Sequence, residues 1–359
     1  MKFIYWFAYY NTYSPSVRYR GQYPLEYLKR YHGINSYFVT PGYRPYKIYN
    51  FIRVYFSALF FTRPDSLIVI QRINSNFIYA NLLKLLIKIR SKHTVYDLDD
   101  ADYLDFKPDT IHYFIKNCNA LMVGSNELMK NLAGLNSRIF INTSPVPDLG
   151  ITKNIKNDLL TIGWIGEFGG GHKISLLKYF FPALKDLPFK VKLVLLGVSD
   201  KNNYEYLKKY FAEFENVILE MPFEIDWKNE RSIQERIAKF DIGIATLLNT
   251  EAQRSKSAFK LKQYMNNGVP VMSSDVAENN HFIREGVNGY LCRTSADFTK
   301  RILEIHFMDV HAYSKLSAGA TVSIHTFNHV TYCNTLFKIF SSSNQLHSAG
   351  SALELDKIV

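Results

Sequence analysis

The sequence predicts an α/β protein built as two domains, each a parallel sheet covered by helices. Three observations point there. Apolar runs of strand length alternate with longer segments of helical period along nearly the whole chain. Several of those runs, such as Leu67–Ile70 and Leu193–Leu196, have no polar alternation, which is expected of strands covered on both faces. The chain has 359 residues, more than a single hydrophobic core usually organises.

In the first half, strands are expected at Lys2–Tyr9, Ser66–Ile70, Thr94–Leu98, Leu121–Gly124 and Arg138–Ile141. Helices are expected at Pro24–Tyr31, Asn76–Arg90 and Asn126–Ala133. From Thr143 to Asn157 the chain turns to Pro, Asn and Lys, the composition of a linker. A second unit follows, with strands at Leu159–Ile165, Val191–Leu196, Val217–Glu220, Ile242–Thr246 and Val269–Ser273. Its helices include Ile174–Lys185 and Phe259–Asn266. The expected division is 1–150, 151–305, a helical segment 306–340 packing back on the first domain, and a fraying polar tail 341–359.

Composition narrows the function classes. Hydrophobic residues at 47% and charged residues at 21% suit a folded protein and argue against general disorder. A formal charge of +11 favours an anionic partner, either a nucleoside diphosphate or an acidic membrane face. Nucleic acid ranks last, because the basic residues are scattered through helices and no nucleic-acid-binding signature accompanies them. Cys118, Cys292 and Cys333 form no CxxC pair, so neither a zinc site nor a disulfide framework is expected, and a reducing, cytoplasmic setting fits. The opening MKFIYWFAYY lacks a small-residue cleavage pattern and reads as a first strand. Phe51–Phe61 is apolar but short of the roughly 20 residues that span a bilayer, so lying on a membrane surface is the alternative.

Two stretches of the second half carry chemistry. In LLTIGWIGEFGGGHKISLL, a strand leads into a loop with Gly166, Gly169 and Gly170 and then a helix start near Lys173. Glycines let backbone amides approach a phosphate, and the helix start adds a positive dipole end. The spacing matches neither GxGxxG nor a P-loop, and a tight turn alone also needs glycines. In SKSAFKLKQYM, Lys256 and Lys260 stand four apart at an expected helix start and would share one face, unfavourably for the dipole unless an anion binds there.

These residues, with DIGIATLL, YMNNGVPVMSS and GVNGYL downstream, resemble the donor-binding half of family 4 glycosyltransferases of the GT-B fold. SVRYRGQYP, VYDLDDADY and LMVGSNEL in the first half resemble segments of polysaccharide-building members. The resemblance implies two facing Rossmann-like domains with parallel sheets, the second holding a nucleotide sugar and the first a glycan or lipid-linked acceptor. It implies retaining transfer without a metal, the departing diphosphate being met by Lys260, Lys256 and Lys173 with the amides of Gly169 and Gly170. Phe259, Gln263 and Asn279 are expected around the donor, and Arg18 and Arg20 at an acceptor phosphate or carboxylate.

Asp99 and Asp100 would contact the sugar or the acceptor hydroxyl; helix capping is the equal alternative. Family members often carry two glutamates eight positions apart where this chain has Ser255 and Gln263, with Glu251 nearby. Gln263 can still bond a ribose hydroxyl, but Ser255 supplies no carboxylate. A non-catalytic nucleotide-sugar or glycan-binding protein is therefore the second reading.

Overall fold

The computed structural model describes residues 1–72, 77–104, 108–153 and 155–355, with side chains described as far as 342. Asn76 of the second expected helix, Asn154 of the expected linker and residues 356–359 of the expected tail lie outside the described residues. The chain forms two compact units. One comprises Met1–Pro145, Ser255–Ser257 and Phe327–Val359, and the other Val146–Arg254 and Ala258–Thr326.

The first unit has strands β1 (Phe3–Phe7), β2 (Asn35–Val39), β3 (Ser66–Gln71), β4 (Thr94–Leu98), β5 (Ala120–Val123) and β6 (Ile139–Ile141), in the order β2-β1-β3-β4-β5-β6. Each described pairing is parallel. The connecting helices are α1 (Tyr23–His32), α2 (Pro45–Phe61), α3 (Phe77–Arg90), α4 (Pro108–Asn117) and α5 (Asn126–Leu132). β3 is buried along its whole length, as its unbroken apolar run requires when helices cover both faces.

In the second unit β7 (Thr161–Ile165), β8 (Val191–Leu196), β9 (Val217–Glu220), β10 (Ile242–Ala245), β11 (Val271–Ser274) and β12 (Gly289–Cys292) pair in the order β12-β11-β10-β7-β8-β9. Helices α6 (Gly170–Ser175), α7 (Lys201–Phe211), α8 (Glu230–Ile237), α9 (Glu251–Arg254), α10 (Phe259–Asn266), α11 (Glu278–Phe282), α12 (Ser295–Phe307) and α13 (Val310–Ile324) belong to this unit. The helical run expected at 174–185 is α6 continued by a π turn and a 3-10 turn to Leu184.

Elements that sequence periodicity did not reveal are short or flank-poor. β2 opens on Asn35 and Ser36 and is an edge strand, while β12 is four residues beginning with glycine. The apolar stretch Phe51–Phe61 is the body of α2, whose buried stripe of Phe51, Val54, Tyr55 and Ala58 enters the first core. The last helix, α14 (His329–Leu355), continues through the backbone where a fraying tail was expected. Its Tyr332, Cys333, Leu336 and Ile339 complete the core beneath β1, with Ile4, Trp6, Val69 and Met122.

In each sheet the strand order reverses once, between β1 and β3 and between β7 and β10. At such a switch point the connections leave in opposite directions and a crevice opens at the carboxyl ends of the strands. β7 and β10 pair only through Ile242 with Ile162 and Gly243 with Gly163, then diverge. The Tyr264 hydroxyl fills the divergence, accepting from Ile165 N at 3.0 Å and donating to Ile244 O at 3.1 Å. Gly243 makes room for that ring, since a Cβ there would lie 2.4 Å from it.

Two outcomes follow from these contacts. Tyr264→Phe should cost about 1–3 kcal/mol in denaturant unfolding, because it leaves a buried N–H and a carbonyl unpaired. His329, at the start of α14, stacks on Tyr27, and burial holds its pKa down at about 4 against an ordinary 6.5. The depressed value means the neutral ring is favoured in the fold, so this stability is complete above pH 6.5 and is lost as pH falls toward about 4. His329→Phe should flatten that segment of the stability profile, read by thermal melting across the same pH range.

Candidate active site

At the switch point of the first sheet, the carboxyl ends of β3 and β4 carry a dense ionic cluster. Arg72 follows β3 directly and adopts a left-handed φ of 48°, a strained conformation for an arginine. Its guanidinium spans three carboxylates, Asp102 at 2.6 Å, Asp99 at 3.0 Å and Asp100 at 3.3 Å, and lies over the Tyr9 ring at 4.6 Å. The Ser16 hydroxyl donates to the other oxygen of Asp99. Burial pushes the Asp102 carboxyl up, and Arg72 opposes that rise.

Deeper in the same unit, Arg20 and Asp97 form an ion pair with no exposed side-chain surface. Burial works against the charge on Arg20, but Asp97 outweighs it and the guanidinium stays protonated. Arg20 also donates to Asn142 O at 2.6 Å, and its own carbonyl accepts from Tyr332 Oη at 2.8 Å. The π-helical turn Val17–Gln22 is thereby tied to β4, to the segment after β6 and to α14.

Lys256 belongs to this cluster. The stretch Ser255–Ser257 groups with the first unit, the Ser125 hydroxyl donating to Ser255 O at 2.7 Å. Lys256 Nζ donates to Asp100 Oδ1 at 2.9 Å, and that carboxylate raises its pKa above the ordinary lysine value. α10 begins only at Phe259, after Ala258 in a left-handed φ of 50°. Lys256 therefore lies outside the helix, and the shared helical face expected for Lys256 and Lys260 does not form.

The second unit presents a different chemistry at its own switch point. Gly166 follows β7 with φ 147°, a value side chains rarely adopt, and a Cβ there would meet Lys260 Cε at 2.8 Å. Gly169 caps α6 without a side-chain hydrogen bond, and Gly170 takes a left-handed φ of 48°. Lys260, in the first turn of α10, points its Nζ to His172 Nε2 at 3.0 Å, with the Trp164 ring 5.9 Å away. A lysine donating there requires the lone pair of a neutral imidazole. Gly171 is bare for the same crowding reason, its missing Cβ leaving space for the Gln253 amide of α9.

Hydroxyl and amide bonds tie the neighbouring strand ends together. Ser175 Oγ and Thr246 Oγ1 are 2.8 Å apart, and Leu247 N donates to Ser274 Oγ at 3.0 Å. Asn279 Nδ2 donates to Ser274 O at 3.0 Å. Its Oδ1 is buried without a hydrogen-bond partner among the described residues, so Asn279 is not the cap of α11, whose N-cap is Ala277 in a positive φ of 43°.

The expected site residues thus separate. Gly166, Gly169, Gly170 and Lys260 come together at the second switch point, and Phe259 and Gln263 occupy the first two turns of α10, with Gln263 buried. Lys173 is engaged within the unit, donating to Asn203 Oδ1 at 2.9 Å and lying over the rings of Phe168 and Tyr206. Arg18 and Arg20 are buried and used internally, Arg18 on the carbonyls of Thr12 and Tyr13, so neither is placed as an open acceptor clamp. Asp99 and Asp100 sit in the ionic cluster with a side-chain exposure of 8% and 30%, respectively. Sequence reasoning passed over Arg72, though a charged residue two positions after the apolar run LIVI was the available signal. Trp164 had no such mark, because only the fold brings its ring beside Lys260; His172 was legible as a further charge in the glycine loop, though not as the partner of Lys260.

Residues 160–306 match the family model described as glycosyl transferases group 1. Over that stretch the chain is similar to group 1 glycosyltransferases. Solved structures extend the likeness to both units. Sucrose-phosphate synthase from Thermosynechococcus elongatus aligns at TM-score 0.71 and 12% identity, covering 97% of this chain and 100% of that one. HepE from Anabaena, solved with UDP and glucose, aligns at TM-score 0.64 and 15% identity over 95% of this chain and 100% of its own. A TarM variant from S. aureus, in complex with fondaparinux, alpha-GlcNAc-glycerol and UDP, aligns at TM-score 0.56 and 15% identity over 77% of this chain, which spans 55% of TarM's length. At these identities the likeness establishes the fold, which is GT-B with two six-stranded parallel sheets. No curated protein matches the sequence.

The aspartates of the first unit are held by cations. Arg72→Met would leave Asp99, Asp100 and Asp102 crowded without their shared countercharge. The variant should lose about 3–5 kcal/mol near neutral pH, because breaking a buried ion pair strands its partners. The loss should shrink as pH falls and the carboxyls take up protons, which urea titrations at several pH values would show.

Proposed function

We propose that the protein transfers a sugar from a nucleoside-diphosphate sugar to a hydroxyl of a glycan or lipid-linked acceptor, with the diphosphate bound at the β7–β10 switch point. The observation that carries this is Lys260, a cation placed in the first turn of a helix and aimed at the glycine loop of Gly166, Gly169 and Gly170. A cation at that end of a helix opposes the dipole. It becomes favourable once a phosphate shares the site, where loop amides and an ammonium meet the same negative charge. The UDP bound in TarM and HepE supports a uridine nucleotide for the first trial.

In this reading, charge grows on the leaving phosphate as the glycosidic bond breaks, and Lys260 with the loop amides stabilises it. No metal is invoked. The departing phosphate itself takes the acceptor proton, giving retention of configuration, as the family resemblance implies. Asp100, half open beside Lys256, orients the acceptor hydroxyl in the first unit. The first-half segments that resemble polysaccharide-building enzymes support a role in cell-surface glycan synthesis. The three buried, unpaired cysteines suit work on the cytoplasmic side.

A second reading, a nucleotide-sugar-binding protein without turnover, draws on Ser255, which stands where family members carry a carboxylate and whose carbonyl is engaged by Ser125. A panel of UDP-, GDP- and dTDP-sugars separates the two, because binding without hydrolysis or transfer to any acceptor favours the module.

The donor site is tested by thermal shift with the free nucleoside diphosphates. Ligand at a hundredfold excess over Kd should stabilise the wild-type protein by about 2.7 kcal/mol. Lys260→Ala should abolish most of that shift, and Lys256→Ala, already neutralised by Asp100, should remove less of it. An undiminished shift in Lys260→Ala would refute the assignment.

A further inference from the structure

The outward face of the first unit carries a surface that glycosyl transfer does not use. α2 buries one stripe in the core, and its opposite stripe is apolar too, with Tyr49, Ile52, Phe56 and Phe60 at helical spacing. Phe56 and Phe60 are 47% and 63% exposed and stack on one another with rings 5.9 Å apart. α3 packs beside α2 and repeats the pattern, presenting Ile78, Leu85 and Ile89 to solvent, Ile78 at 66% exposure. A helix apolar on both sides is out of place on a water-facing surface.

The charge around these stripes is predominantly positive. From Tyr43 to Tyr96 the sequence holds nine lysines and arginines and a single acidic residue, Asp65. Arg44, Arg53, Arg63, Lys88 and Lys92 are exposed among or beside the aromatic side chains. Arg53 also lies over the Tyr37 ring at 4.9 Å, which holds its guanidinium at the rim of the patch. No helix of the described residues is long and apolar enough to cross a membrane.

We propose that the α2–α3 face docks on an anionic lipid bilayer, its aromatic and aliphatic side chains entering the interface while the basic residues meet the headgroups. The occupant is chosen by charge complementarity. A second copy of this face would bring like charges together, since the patch is predominantly basic, and a neutral apolar partner would leave the arginines unmatched. A bilayer satisfies both features, because apolar burial and attraction to anionic headgroups add along one plane. The inference does not depend on the donor-site reading, since none of these residues lies at a switch point.

Vesicle flotation tests it with the full chain, using phosphatidylcholine vesicles with and without phosphatidylglycerol. Wild-type protein should float with the anionic vesicles, less so at high salt, and not with pure phosphatidylcholine. Phe56→Ser with Phe60→Ser should weaken binding by roughly tenfold or more, since two interfacial aromatic rings are lost. Arg53→Glu with Lys88→Glu should weaken it by a similar factor, since each basic residue near the surface adds to the attraction for anionic headgroups. The charge variant leaves the apolar stripe intact and keeps the test valid if the serine variant fails to fold, which thermal melting reports. Equal binding to both vesicle types, or unchanged binding in the charge variant, would overturn the proposal. So would sedimentation showing a dimer that Phe56→Ser with Phe60→Ser dissolves while vesicles are ignored.

Discussion

The second unit depends on the point where β7 and β10 stop pairing. Strands that leave a switch point in opposite directions must abandon backbone hydrogen bonds there, and buried unpaired groups are costly. A single hydroxyl, that of Tyr264, satisfies an amide from one strand and a carbonyl from the other. It comes from α10, the same helix that brings Lys260 to the glycine loop. Structural closure of the crevice and delivery of the cation are therefore one placement. The empty faces of Gly166 and Gly243 are the steric conditions for it, one admitting the lysine and the other the tyrosine ring.

The first unit solves a different problem, the burial of charge. Asp97, Asp99, Asp100 and Asp102 lie within six residues at the end of β4, and Arg20, Arg72 and Lys256 answer them. Such an arrangement does little for stability by itself, because desolvation consumes most of the attraction. Its value is positional. Arg72 sits in a backbone conformation that costs energy, and Ala258 and Ala277 do likewise in the second unit. Arg72 and Ala277 lie in loops at the carboxyl ends of strands and Ala258 lies between α9 and α10, positions where strain persists only because the surrounding structure fixes it.

Much of the site chemistry was legible along the chain and some was misread for identifiable reasons. The glycine loop and Lys260 stood out because their meaning is local: backbone freedom and a cation near a helix start. Lys256 was paired with Lys260 by counting along a helix, but the helix starts three residues later, and a carboxylate from a strand end 156 positions away claims it. Arg18, Arg20 and Lys173 looked like open cations because a sequence does not show which carbonyls, rings and carboxylates will surround a side chain. The apolar run Phe51–Phe61 was legible as a surface-lying segment, but which of its residues face the core and which face outward only the packing of α2 decided.

What the sequence determined alone is the alternation of strand and helix, the doubling of that pattern into two units, and the loop through which a phosphate can be approached. These follow from periodicity and from residue types with restricted or unusual backbone freedom, which act over a few residues. The tertiary structure decided the strand order, the positions of both switch points, and the partners of every buried charge. Those depend on contacts between segments more than a hundred residues apart in places, such as Arg20 with the carbonyl of Asn142 and α14 beneath β1. No local propensity encodes such contacts; they exist only once the sheets have assembled.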